Sequence, residues 1–288
     1  MMTRIYKYIE ISRPRHSIKN LIIFAPLFFT FQYKLNLYFD AFIIFFLFYL
    51  ITTVTYIFND LTDRNIDILH PTKKYRPIAA GTVSLLEAKL LMLFLFFIST
   101  VASYSFNYEL FIILMSYLFI NILYSLKLKE IVFIDIIIIS IGFILRLLAG
   151  SLVGSIDLSI WIFMMTFLLA SLMAITKRKD AVDRNDYSST SISKSYTKKL
   201  INYIVTVITL SIVITYAFFA FSSEVSFILG NSYLPFTLIF VLLGISRYLF
   251  LIYNMPISYD PIEIFFNDFL MKLFFISWIL SFFIISGI

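Results

Sequence analysis

Three aspartates crowd one polar stretch: Asp60, Asp63 and Asp67, spaced i, i+3 and i+7. If the helix before them continues, all three fall on one face. Carboxylates placed like this repel one another unless a cation lies between them. Their hard oxygens suit Mg²⁺, or Mn²⁺ in its place, an ion usually shared between carboxylates and substrate phosphates. Lys73, Lys74 and Arg76 follow within a few residues, and cations beside such an ion suit a diphosphate. An ordinary solvated hairpin loop would account for the three acids alone. It does not account for a second stretch of the same kind, Lys177-Arg178-Lys179-Asp180-Ala181-Val182-Asp183, with Asp186 beyond it. There, Lys177 and Arg178 either snorkel to lipid headgroups or point inward at an anion.

The chain has two His, His16 and His70, and no Cys. This excludes a thiolate or His-built metal centre, and disulfides with it.

The elements that must position these groups are apolar. Of the 288 residues, 61% are hydrophobic and 14% charged, and the mean hydropathy is +0.94. A soluble domain is nearer 45–50% apolar and about 25% charged, so lipid is the solvent here. Runs of roughly 20 apolar residues predict helices over 20–33, 38–60, 84–104, 108–126, 131–152, 156–176, 200–222, 233–253 and 265–287. The expected fold is all-α: a polytopic membrane protein of about nine transmembrane helices in one domain, 1–288. Met1 to Lys19 is basic and lacks a small-residue cleavage site, so no removable signal peptide is expected. Two loops are long and polar, 59–83 and 177–199.

Charge sets the orientation. The loops after helices 1, 3, 5 and 7 hold only Lys34 among Lys and Arg. The N-terminus and the remaining loops collect eighteen others, from Arg4 to Lys199, which makes them cytoplasmic. Both long loops then lie on the cytoplasmic side of the plasma membrane (the inner membrane of a diderm cell), where they can meet over one cavity. Topology and attraction to anionic lipid account for part of the excess of Lys and Arg, but not for the acids set among them in the two long loops; no nucleic-acid partner is expected. Arg146 lies inside a helix, and intramembrane charges usually face the protein interior and mark function. Asp135 is a candidate partner, but it lies about three turns away along the same helix.

The run Asn59-Asp60-x-x-Asp63-x-x-x-Asp67, paired with a charged motif after the sixth helix, resembles the UbiA superfamily of intramembrane prenyltransferases. The resemblance is closest to its decaprenyl-phosphate 5-phosphoribosyltransferase branch. Four stretches carry it: Arg13-Pro14-Arg15-x-x-x-Lys19-Asn20, His70-Pro71-Thr72-Lys73-Lys74-Tyr75-Arg76-Pro77-Ile78-Ala79-Ala80-Gly81, Tyr124-Ser125-Leu126-Lys127-Leu128-Lys129 and Gly142-Phe143-x-x-Arg146-x-x-Ala149-Gly150. Lys177-Arg178 also fits the branch, and Asp180 and Asp183 are both candidates for the acid that follows.

The resemblance implies a UbiA-like bundle and a reaction. A polyprenyl phosphate would attack carbon 1 of phosphoribosyl pyrophosphate and expel pyrophosphate, a step of cell-envelope biosynthesis. Asn59, Asp60, Asp63 and Asp67 would hold Mg²⁺, with Asp180 or Asp183 assisting. Lys19, Lys73, Arg76, Tyr124, Lys127, Lys177 and Arg178 would bind substrate, and Arg146 the acceptor phosphate. The nearest alternative is a UbiA-type transfer of a prenyl group from its diphosphate to an aromatic or other small acceptor. An anion transporter would need broken helices at matching positions in two halves, and no such repeat is present.

Overall fold

A bilayer core offers no water, so every backbone N–H and C=O there must be bonded within the chain, and long apolar segments meet this as helices. The computed structural model describes residues 2–32, 34–183, 196–223, 225, 233–254, 264 and 267–286, and among these there are helices and turns but no strands. Seven of the helical segments are long and apolar enough to cross a membrane, and an eighth, Phe269–Ile285, is apolar but shorter. The chain is a multi-pass membrane protein. The described residues fall into two compact units, Met1–Leu158 and Ser159–Asp186 with Tyr196–Ile288.

The first unit contains α1 (Met2–Ser12), a 3₁₀ stretch (Pro14–Phe24), α2 (Ala25–Phe29), α3 (Leu35–Thr62), α4 (Arg64–Leu69), α5 (Leu85–Phe106), α6 (Tyr108–Leu126) and α7 (Ile134–Ser151). Helix α3 is its axis: 61% of its apolar window is buried, against 11% for α5. Phe48, Ile51 and Leu47 of α3 pack with Leu110, Leu114 and Tyr117 of α6 and with Ala149 of α7. The rim helix α5 instead exposes Leu86, Leu90, Phe94, Phe97 and Val101, one stripe at helical spacing that belongs to lipid. Its start is set by a reciprocal cap: Ser84 Oγ accepts from Glu87 N at 3.2 Å, and Glu87 Oε2 accepts from Ser84 N at 2.9 Å. Asn107 caps α6 from one side, accepting from Leu110 N at 3.0 Å.

The first expected span, 20–33, takes a different form. It is a 3₁₀ stretch followed by the short α2, not one long helix. The cause is local. Pro26 has no N–H to give the carbonyl of Ile22, and the Ala25 N–H bonds that carbonyl instead. The stretch also lies against α7 so closely that a Cβ at Gly150 would overlap the carbonyl oxygen of Ile23. Only glycine admits that approach.

The second unit contains α8 (Ile160–Asp183), α9 (Lys198–Phe221), α10 (Leu238–Asn254) and α11 (Phe269–Ser286). Helix α8 packs on α9, and α10 on α11. Buried hydroxyls are satisfied across these helices: Thr176 with Tyr248 at 2.9 Å, and Trp278 Nε1 donating to Tyr216 at 2.7 Å. Helix α8 runs past its expected end at 176, so Lys177, Arg178, Asp180 and Asp183 belong to helix and not to loop.

Candidate active site

Helix α3 does not continue unbroken through its acids. It ends at Thr62, Asp63 adopts φ −88° and ψ 2°, and α4 begins at Arg64. Backbone bonds still bridge the break, from Asp63 N to Asn59 O at 2.8 Å and from Asp67 N to Asp63 O at 2.9 Å. The kink separates the three carboxylates into a pair and a single. Asp60 and Asp67 are buried, 3% and 2% exposed. Each accepts from the same atom: Arg76 Nη1 donates to Asp60 Oδ1 at 3.0 Å and to Asp67 Oδ2 at 2.7 Å. Asp63 turns away to Lys129, whose Nζ stands 2.5 Å from its Oδ1.

Arg76 comes from the loop that follows α4. His70 shapes this loop: its Nδ1 accepts from the backbone N–H groups of Thr72 and Lys73, both at 3.2 Å. Nδ1 thus serves as the acceptor that holds this turn. The loop closes on itself through Ala80 N to Arg76 O at 2.8 Å, and Ile78 anchors it in the small core with Ile57 and Val83. Lys73 is half-buried and Lys74 is exposed, lying over the Tyr75 ring.

A second guanidinium reaches the acids from the N-terminus. Arg13 Nη2 lies 2.5 and 2.7 Å from the two oxygens of Asp60, with its guanidinium carbon 4.9 Å from the Tyr56 ring centre. Arg13 has φ 48° and ψ 58°. Pro14 disfavours the right-handed helical region for the residue before it, so α1 stops; Arg13 itself is left-handed. That conformation costs a non-glycine residue about 1–3 kcal/mol, and it aims the side chain at Asp60.

The other predicted residues lie as follows. Asn59 is half-buried beside Asp60, and Tyr124 is half-buried near the end of α6. Lys127 is exposed; the cation that the turn after α6 delivers to the acids is Lys129 instead, 8% exposed. Lys19 is half-buried in the 3₁₀ stretch. In the second unit Lys177 is exposed and Arg178 half-buried, while Lys179 lies 4.7 Å above the Tyr253 ring centre. The side chains of Asp180 and Asp183 and the remainder of the loop, 184–195, lie outside the described residues.

Arg146 is 4% exposed and is held apart from the acids. Its Nε donates to Asn20 Oδ1 at 2.7 Å, Nη1 to the Gly142 carbonyl at 2.7 Å and Nη2 to the Tyr117 hydroxyl at 3.0 Å. The rings of Tyr117, Phe48 and Phe143 surround its guanidinium, with centres at 4.7, 5.3 and 5.6 Å. Its partners thus come from the 3₁₀ stretch, α6 and its own helix, not from Asp135. The residues that sequence reasoning left without a role are Arg13, Lys129, Asn20 and Tyr117. The signal for Arg13 was the proline after it, which ends a helix at the residue before.

Among the described residues no three of His, Asp and Glu gather tightly enough to hold a metal on their own. Asp60 and Asp67 nevertheless converge on one cationic nitrogen, which marks where two hard carboxylate oxygens can share a cation. They fit a divalent ion whose other ligands come from a diphosphate and water, the usual arrangement for Mg²⁺.

Comparison with known proteins places this arrangement. The chain is 30% identical to the decaprenyl-phosphate phosphoribosyltransferase of Mycolicibacterium smegmatis, over 94% of this chain and 89% of the relative. It is 26% identical to the enzyme of the same name from Mycobacterium tuberculosis, over 93% and 90%. The fold is that of a UbiA homologue from Archaeoglobus fulgidus solved with DMAPP and Mg²⁺, with a TM-score of 0.71, 17% identity and coverage of 98% of this chain and 99% of that one. The model of the UbiA prenyltransferase family matches residues 21–281, and the chain belongs to that family.

Proposed function

We propose that the chain transfers 5-phosphoribose from phosphoribosyl pyrophosphate to a membrane polyprenyl phosphate, with release of pyrophosphate, at the cytoplasmic face of the plasma membrane. The observation that carries this reading is the likeness to the two phosphoribosyltransferases, which runs along nearly the whole chain and is not confined to the acidic motif.

The chemistry follows from the groups present. An oxygen of the polyprenyl phosphate attacks carbon 1 of the ribose, and the bond from that carbon to the diphosphate oxygen breaks. The nucleophile is already anionic near neutral pH, so no strong general base is needed. The difficulty lies in the departing negative charge and the positive charge left on the sugar. Asp60, Asp67 and Asn59, with Asp63 beside them, would hold Mg²⁺, which would supply neutralisation of the leaving diphosphate when bound. Arg76 and Arg13 bring guanidinium groups that bind phosphate oxygens in a fixed fork. Lys19, Lys73, Tyr124 and Lys127 complete the donor and acceptor contacts. Lys177 and Arg178 take the 5-phosphate of the donor, and one of Asp180 and Asp183 is required with them.

The test offers both donors to the purified protein. With Mg²⁺ and polyprenyl phosphate, labelled phosphoribosyl pyrophosphate should yield a lipid-linked phosphoribose. A prenylated aromatic acid formed from prenyl diphosphate, with no labelled lipid, would overturn the assignment in favour of prenyl transfer.

A further inference from the structure

We propose that Arg13 is a displaceable counter-ion of Asp60, which opposes binding of the bare metal and is drawn off by the diphosphate, so that ion and diphosphate enter the site together. The proposal rests on the reading of Asp60 and Asp67 as metal ligands. Asp60 is 3% exposed, so its charge cannot stand unpaired. Arg13 Nη2 takes both of its oxygens, at 2.5 and 2.7 Å, and Arg76 Nη1 takes Oδ1 as well, at 3.0 Å. A Mg²⁺ ligated by the same oxygens sits about 2.0–2.1 Å from them. That is the space where the Arg13 nitrogen lies, and two cations cannot share it.

The exchange needs only a side-chain movement. The backbone of Arg13 is fixed between α1 and Pro14, with its N–H on Glu10 O at 3.2 Å and its carbonyl accepting from His16 N at 2.9 Å. The Tyr56 ring, 4.9 Å from the guanidinium carbon, keeps a favourable face beside the released charge. What the displaced arginine lacks is an anion. A bare divalent ion supplies none, whereas an ion that arrives with a diphosphate brings several anionic oxygens within reach. The coupling is reciprocal: the diphosphate raises metal affinity by the same factor as the metal raises diphosphate affinity.

The experiment measures Mn²⁺ binding to the full chain in detergent by electron paramagnetic resonance, with and without inorganic pyrophosphate. Arg13→Gln should bind bare Mn²⁺ about tenfold or more tightly than the wild type, the scale of one charge-assisted hydrogen bond removed from competition. It should bind the Mn²⁺–pyrophosphate complex more weakly by a similar factor. Bare Mn²⁺ bound equally or more weakly by Arg13→Gln overturns the proposal, because a mere structural or donor-binding arginine gives that result. Arg13→Lys keeps the charge but loses the fork and should fall between the two; if the glutamine variant does not fold, this variant carries the test, and bare-ion affinity at or below wild type overturns the proposal. Asp60→Asn should lose bare Mn²⁺ binding, and its retention would put the ion elsewhere. Pyrophosphate is common to sugar and prenyl donors, so these outcomes stand whichever donor the transfer assay finds.

Discussion

Lys129 and Asp63 meet at 2.5 Å across 66 residues of chain, with side chains 11% and 19% exposed. The contact ties the turn after α6 to the break between α3 and α4. Replacing either residue leaves a mostly buried charge without its partner. Lys129→Met and Asp63→Asn should each destabilise the protein, and the double variant should lose less than their sum, with a coupling of about 1–2 kcal/mol. Thermal unfolding of the four proteins in one detergent measures it; strict additivity would mean that the pair contributes nothing.

Asp60 and Asp67 share Arg76, and the metal assignment concerns this pair first. Asp60→Ala and Asp67→Ala should each lower kcat/KM on the order of 100-fold or more, the scale seen when charge stabilisation is removed from a transition state. A chelator should abolish activity, and Mg²⁺ or Mn²⁺ should restore it. Full activity in a variant lacking both acids would refute the assignment.

The local parts of this site were legible in the sequence and the distant parts were not. Asp60, Asp67 and Arg76 lie within one short stretch, where helical spacing relates the two acids and nearness in sequence adds the arginine. Arg13 meets Asp60 across 47 residues, and no periodicity links the two. Lys127 and Lys129 both lie past the end of the helix at Leu126, where helix spacing no longer places a side chain. There the chain becomes a 3₁₀ turn, Leu128–Glu130, with its own periodicity, and that turn buries Lys129. The apolar run at 20–33 reads as one spanning helix but is a 3₁₀ stretch and a short helix, because hydropathy does not register a missing proline N–H or a glycine that admits a backbone. The helical membrane fold itself was legible, because length and apolar content alone decide it.

Arg146 was expected at the acceptor phosphate, yet its guanidinium is engaged by Asn20, Gly142 and Tyr117 inside a ring of aromatic side chains. Arg146→Met leaves the Asn20 amide oxygen buried without its donor, at about 1–3 kcal/mol for such a group. The unfolding temperature should fall, and Asn20→Ala added to it should cost little more. The KM for polyprenyl phosphate in the folded fraction should stay near wild type. Unchanged stability with a raised lipid KM would return Arg146 to the acceptor.

Asp268 caps α11, accepting from Met271 N at 2.8 Å, and pairs with Arg247 of α10 at 2.7 Å. The hydrogen bond from Arg247 holds its carboxyl below the usual carboxylate range, against a smaller opposing effect of burial. A group whose pKa is lower folded than unfolded stabilises the fold above its unfolded value, near pH 4, and that stabilisation is lost as pH falls through the folded value. Hydrogen exchange in α11 should therefore quicken below about pH 4. Arg247→Met should speed exchange at neutral pH and remove most of the acid dependence; an unchanged pH profile in that variant would exclude the pair as its cause.

The last prediction separates the two donors by counting anionic ends. Phosphoribosyl pyrophosphate has two that must be held, the diphosphate at carbon 1 and the phosphate at carbon 5, whereas a prenyl diphosphate has one. Arg13 and Arg76 stand at the acids in the first unit, and Lys177 and Arg178 end α8 in the second. If the second pair serves the 5-phosphate, Arg178→Ala and Lys177→Ala should raise the KM for phosphoribosyl pyrophosphate and leave that for polyprenyl phosphate nearly unchanged. One charge-assisted phosphate contact contributes roughly 1.5–3 kcal/mol, so the rise should be about 10- to 150-fold where binding is at equilibrium. Ribose 5-phosphate, which carries only the distal anion, should inhibit the wild type competitively against the donor and lose that effect in both variants. Pyrophosphate should inhibit all three alike. Equal loss of inhibition by both compounds would mean that Lys177 and Arg178 act on the diphosphate end, and the case for a sugar donor would then rest on sequence likeness alone.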